Sequence, residues 1–178
     1  LSVGGPGANC SPAISNCQFY KNNANYGGAA SLDFSGFGAD PVNKPTFINC
    51  VFKGNYASKG GAIKISAFLG TCKAQFRGCT FSNNISDYGG AINETSGETS
   101  EVASKFTECV FTNNHVNISG GAIYADGSAG YLRDTIVASS FEKNTSNING
   151  GACCFSAIDF SESSCNFSNC SFNENSSL

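Results

Sequence analysis

Thirteen carboxylates, ten cysteines and a single histidine are the side chains of this 178-residue sequence with the most obvious capacity for chemistry. Cleavage of a polysaccharide needs two or three carboxylates, or a carboxylate with a basic partner, held on one surface. Here the acids are scattered. Asp33, Glu94 and Asp126 each follow a Gly-Gly pair, but at unequal offsets, and Asp126 with Arg133 or Asp134 makes only a weak pair. His115 lies in an Asn-rich turn without a partner nearby in sequence, which predicts a solvated role. Cys153-Cys154 offers a nucleophile, although a disulfide or core role explains it better. Gly36-Phe37-Gly38 lacks the third glycine and the following helix of a dinucleotide loop. There is no CxxC pair for a zinc site, and the Asp-rich nonapeptide of calcium-binding solenoids is missing. The sequence therefore predicts no enzyme, no catalytic residue, no metal and no cofactor.

The bulk composition narrows the partners. A net charge of −3 and a pI near 5.0 leave no basic face for phosphates, so nucleic acid is not expected. With 13% charged and 40% hydrophobic residues the chain is not disordered by composition, and its length supports one domain with a real core. No run approaches eighteen apolar residues, so no membrane-spanning helix is encoded. Methionine is absent even at position 1, which predicts a processed product or a piece of a longer polypeptide.

The elements that must position these groups come from a repeat. Cys17-Gln18-Phe19-Tyr20-Lys21-Asn22 returns as Cys50–Asn55, Cys79–Asn84, Cys109–Asn114, Ser139–Asn144 and Cys170–Asn175, at intervals of 33, 29, 30, 30 and 31 residues. Gly-Gly-Ala follows the first five copies, opening at Gly27, Gly60, Gly89, Gly120 and Gly150, and Ile14, Phe47, Phe76, Phe106, Ile136 and Phe167 stand three residues before the Cys/Ser position. Locally the pattern is strand-like: Lys105–Phe111 is short and rich in β-formers, and Gly61-Ala62-Ile63-Lys64-Ile65 alternates. The prediction is an all-β parallel β-helix of about six coils with a period near 30 residues, filling residues 1–178 as a single array. Stacked coils about 4.8 Å apart would pile Phe19, Phe52, Phe81, Phe111, Phe141 and Phe172 into one aromatic column. Asn22, Asn55, Asn114 and their equivalents would form an amide ladder at a bend, and the glycine pair would allow a sharp corner. The longest interval, with Gly36–Pro41 and Pro45, reads as an outward excursion.

The FxxN and GGA[I/L/V] pair resembles the polymorphic outer membrane protein repeat of bacterial surface adhesins and some protist surface proteins. All six FxxN copies match, and Ile63, Ile92 and Ile123 complete three GGA copies, whereas Ala30 and Cys153 depart from the pattern. The resemblance implies a right-handed parallel β-helix, surface display, adhesive or structural work, and no catalytic residues.

Further expectations attach to that frame. Ten cysteines suggest disulfides in an oxidising, extracellular setting. Cys17, Cys50, Cys79, Cys109 and Cys170 would form an inward ladder at a spacing a disulfide tolerates, while Cys10, Cys72, Cys153, Cys154 and Cys165 are extra. Cys154 and Cys165 could close a loop, Cys10–Cys17 and Cys72–Cys79 could bond only across a bend, and free buried thiols acting as small core residues are the alternative. Eight sequons start at Asn9, Asn84, Asn93, Asn117, Asn144, Asn166, Asn169 and Asn175, about twice the number that composition gives by chance. Asn84, Asn144 and Asn175 also hold the bend position, so Asn93, Asn117 and Asn169 are the expected glycan carriers. The sequence stops where a Gly-Gly corner is due and shows no capping element, which suggests that the array continues in a longer chain or by end-to-end stacking of copies. The expected role is a non-catalytic, glycosylated extracellular fibre or coat component. Alternatives are an adhesin module binding cell-surface ligands through loops 33–46 and 94–104, and a polysaccharide-active enzyme.

Overall fold

The computed structural model describes residues 1–5, 9–35, 42–158 and 161–178. The excursion at Gly36–Pro41 lies outside the described residues. Among the described residues there is no helix, hence none long and apolar enough to cross a membrane. The chain winds as a β-solenoid of about six turns whose strands pair in parallel with their equivalents one turn away. The all-β solenoid and its period agree with the repeat read from the sequence.

Among the described residues four sheets line the winding, and the central turns contribute five short strands each to them. The first stacks Ser2–Gly4, Ala30–Ser35, Ile63–Phe68, Ile92–Ser96, Ile123–Ser128 and Cys153–Ile158 in chain order. The second contains such strands as Gln75–Arg77, Lys105–Thr107, Tyr131–Val137 and Glu162–Ser168. The third runs from Gln18–Tyr20 to Ser171–Asn173, and the fourth holds Ile85–Tyr88, His115–Ser119, Thr145–Ser146 and Ser176–Ser177. Lys105–Phe111, read as one strand, is two: Lys105–Thr107 and Val110–Thr112 are separated by Glu108 at φ 55°.

That break belongs to a system of three recurring left-handed corners, to which Leu69, Thr99 and Ala129 add a fourth in three of the turns. The first falls on Asn16, Asn49, Gly78, Glu108, Ala138 and Asn169, and the second on Lys21, Gly54, Asn83, Asn113, Lys143 and Glu174, all with φ between 50° and 65°. Left-handed backbone costs an L-residue roughly 1–2 kcal/mol, so these corners accept several residue types. The third is always glycine for a steric reason. A Cβ on Gly89 would stand 1.9 Å from the Ile92 carbonyl oxygen, and one on Gly90 would stand 2.2 Å from that of Gly121 in the next turn. No rearrangement of a flexible side chain relieves a backbone clash, so Gly-Gly is obligatory there.

Within the winding the rings of Phe19, Phe52, Phe81, Phe111, Phe141 and Phe172 stack with centroids 4.7–4.8 Å apart and planes within 5°. A second column, Phe47, Phe76 and Phe106, meets the first edge to face. Beside the rings the side-chain amides form a continuous chain. Nδ2 of Asn22, Asn55, Asn84, Asn114 and Asn144 each donates to Oδ1 of the next amide at 2.9–3.0 Å, ending on Asn175. The same Nδ2 in Asn55, Asn84, Asn114 and Asn144 also donates to the carbonyl of the Phe one turn back. Each ladder backbone N–H donates to the following Oδ1 as well. The ladder thus satisfies buried donors that no sheet reaches.

Candidate functional site

The ten cysteines are free thiols in this structure, the arrangement given above as the alternative to bridges. The inward ladder shows why. The Sγ atoms of Cys17, Cys50, Cys79, Cys109 and Cys170 each donate to the carbonyl two residues back, at 3.2–3.5 Å. Ser139, the one serine in this column, makes the same bond to Val137 at 2.9 Å. The position therefore wants a small donor for a strand-end carbonyl, a task that a hydroxyl fills equally well and a disulfide would not. Cys10, Cys72, Cys153, Cys154 and Cys165 are likewise unbridged. Burial pushes Cys153 and Cys154 up from the ordinary thiol range, the reverse of an activated nucleophile.

The sequons separate by direction. Asn84 and Asn144 are fully buried in the amide ladder, and Asn175 donates Nδ2 to the Phe141 carbonyl at 2.8 Å. Asn93 is only 1% exposed, which corrects its choice as a carrier: it points outward from the first sheet, but the larger neighbours in its column, Lys64 and Tyr124, flank it. Asn9, Asn117, Asn166 and Asn169 are exposed. Chain secreted from a glycosylating host is expected to carry glycan on Asn117 or Asn169, and none on Asn84, Asn93 or Asn144. Intact glycopeptide mass spectrometry checks this, and a glycan on folded-chain Asn84 would contradict the ladder.

The groups considered for catalysis are not assembled. Asp33 and Asp126 face outward in one column of the first sheet, while Glu94 faces inward. Arg133 is exposed and bridges Glu101 and Glu162, whereas its neighbour Asp134 is buried. His115 opens a strand of the fourth sheet rather than sitting in a turn, and its Nδ1 lies 2.8 Å from Thr145 Oγ1. Residues 94–104 form no long loop: Ser96 and Ser100 are buried and close a tight turn against each other.

Two features escaped sequence reasoning. One is an interior acid pair. Glu94 (0% exposed) from the first sheet and Asp134 (3%) from the second interact across the lumen. Asp134 Oδ1 accepts from the Ser104 N–H at 2.9 Å, but as carboxylates Glu94 Oε1 and Oε2 and Asp134 Oδ2 find no donor. A retained proton lets one carboxyl donate to the other. Burial raises Glu94, and burial with the partner carboxyl adding to it holds Asp134 well above the ordinary range; the pair in turn helps raise Cys72 and Cys165. Among the described residues no group of three His, Cys, Asp or Glu side chains is arranged to hold a metal ion.

The other is a groove of about 160 Å³ on the outside of the first sheet, lined by Lys59, Tyr88, Asn93, Thr95, Tyr124 and Asp126. The glycine corner builds it. Folding back at Gly-Gly brings the residue before the corner in one turn against the fourth residue after the first corner glycine in the next. Thus Lys64 Nζ stands 5.9 Å from the Tyr26 ring centre, and the Tyr88 and Tyr124 rings lie 5.0 Å apart. Between these two filled levels the equivalent residues are Lys59 and the short Asn93, and a notch results.

A lumen filled by stacked rings and laddered amides, with sequence variation on the outer face, defines a repeat solenoid of the parallel-β class. The family model of the Chlamydia polymorphic membrane protein repeat matches four times, at residues 49–66, 78–93, 108–126 and 138–156. Each match starts at the first left-handed corner and ends in the first sheet. Four successive windings of the chain therefore carry the repeat of the polymorphic membrane protein family. No curated protein and no solved structure matches it.

Proposed function

We propose that this chain is a non-catalytic stretch of surface-displayed β-solenoid, a rigid rod that serves as a building block of an extracellular fibre or coat. The observation that carries this reading is the unbroken amide and phenylalanine ladder, which joins every turn to the next and spends the invariant residues on the interior. The family of the repeat supports the cell-surface location. Interactions in such an array are nearest-neighbour, so turns add length without altering the cross-section. Stacking on further copies and attached glycans belong to the same proposal. Antibody labelling and protease shaving of intact source cells test it: the chain should be labelled and removed without lysis, and electron micrographs of released material should show rods. Labelling only after permeabilisation would refute the surface reading. A second reading, an adhesive module, is favoured by the groove at Asn93.

A further inference from the structure

We propose that the notch at Asn93 is a binding site for one neutral sugar ring of a glycan. The first argument is an unmet polar demand. Asn93 is 99% buried, lines the groove, and its Oδ1 has no hydrogen-bond partner. An acceptor withdrawn from water without a donor costs about 1–3 kcal/mol, and a ligand hydroxyl or amide N–H entering the groove would supply that donor. The second is the character of the walls. Tyr88 and Tyr124, tilted by 50° to each other, give half-buried aromatic surface of the kind the C–H face of a pyranose packs against. Around it stand a cation (Lys59), a carboxylate (Asp126) and a hydroxyl (Thr95). A few convergent polar groups beside aromatic surface are the ordinary make-up of a ligand site.

The same groups set the class of ligand. An unpaired acceptor calls for a donor, and with Asp126 set against Lys59 the lining carries no net charge that would select an anion such as phosphate, sulfate or an acidic sugar. The Tyr124 phenol keeps its O–H at neutral pH, as any tyrosine does; burial and Asp126 push it further up, to about 12. Lys64, which donates to Thr95 Oγ1 at 3.4 Å, borders the notch, so the space takes a single ring and not an extended chain buried along its length. Vicinal hydroxyls, each both donor and acceptor, match this mixed lining better than a hydrophobic side chain or a charged peptide does.

Saturation-transfer NMR on the whole 178-residue chain, made in a non-glycosylating host, tests the assignment. The probes are the methyl glycosides of glucose, galactose, mannose and N-acetylglucosamine, with a methyl sialoside as the anionic comparison. At least one neutral glycoside is expected to receive saturation, and Asn93→Ala and Tyr124→Ala are expected to weaken it about tenfold, the effect of one lost hydrogen bond or ring contact. Circular dichroism should show both variants folded. Should Tyr124→Ala not fold, Lys59→Met at the exposed rim serves in its place. Transfer to no neutral glycoside, transfer to the sialoside alone, or transfer undiminished in Asn93→Ala overturns the proposal. The measurement is made on isolated protein, so its failure leaves the surface-rod reading untouched.

Discussion

Replacing Asn114 by alanine is expected to destabilise the solenoid by about 3–5 kcal/mol, among the largest effects of any single truncation in the chain. Asn114 Oδ1 accepts from both the backbone N–H and Nδ2 of Asn84, and its own Nδ2 donates to the Phe81 carbonyl and to Asn144 Oδ1. Truncation strands all of these groups in a buried lumen between stacked rings. A water molecule cannot take over, since it would need the volume and the in-plane geometry of the amide. Asn114→Asp should be nearly as damaging: it keeps the acceptor but loses both donors and buries a charge. The adjacent Asn113 is the control. It is exposed, at φ 53°, and Asn113→Gly should change stability by less than about 1 kcal/mol because glycine accepts that corner freely. Denaturant unfolding of the three variants measures the difference, and hydrogen exchange should place the lost protection in the turns on either side of Asn114. A cost for Asn114→Ala no greater than that for Asn113→Gly would show that the ladder does not hold the turns together.

The second large effect is a pH dependence set by the lumenal acids. Glu94 and Asp134 have pKa values raised in the folded chain, chiefly by burial, whereas in the unfolded chain they titrate near 4. Below that pH both states hold the protons, and the pair costs nothing through ionisation. As pH rises past 4 the unfolded state releases protons that the folded state retains, so unfolding becomes easier. The loss is up to about 1.4 kcal/mol per pH unit for each retained proton, and it levels off only above the folded-state values. Unfolding midpoints should therefore fall between pH 5 and 8 more steeply in the parent than in Glu94→Gln/Asp134→Asn. At pH 8 the double variant should be the more stable of the two, and at pH 4 its advantage should vanish. Taking the difference between the two proteins removes the contribution of exposed acids such as Glu162, whose pairing with Arg133 acts in the opposite direction. Parallel pH profiles would mean that the pair is not protonated in the fold.

The repeat dictated the architecture because a parallel solenoid places like on like. Once FxxN and Gly-Gly-Ala recur every 30 residues or so, each Phe must meet the next Phe and each Asn the next Asn, so the column is legible from spacing alone. Glycine at the third corner could likewise be read from the sequence, as a residue for which no Cβ has room. The first two corners could not, because Lys21, Glu108, Ala138 and Glu174 bear no mark of a left-handed backbone; their cost is accepted one residue at a time wherever a strand must end. Cysteine was ambiguous for a related reason. Its count suggested either bridges or small buried thiols, and this structure uses it as a small donor at a position that Ser139 also fills.

What the sequence by itself determined was the contents of each column along the axis, since that follows from the period. What only the tertiary structure decided was how the columns face one another across the lumen and around the corners. Glu94 and Asp134 are 40 positions apart, on different sheets in successive turns. They meet because the corner angles fix the cross-section. Asn93 and Tyr88, on the two arms of one glycine corner, share a groove because the chain turns back there and because a short side chain happens to lie between two long ones. Such neighbours are set by the shape of the closed turn, and no periodicity encodes that shape.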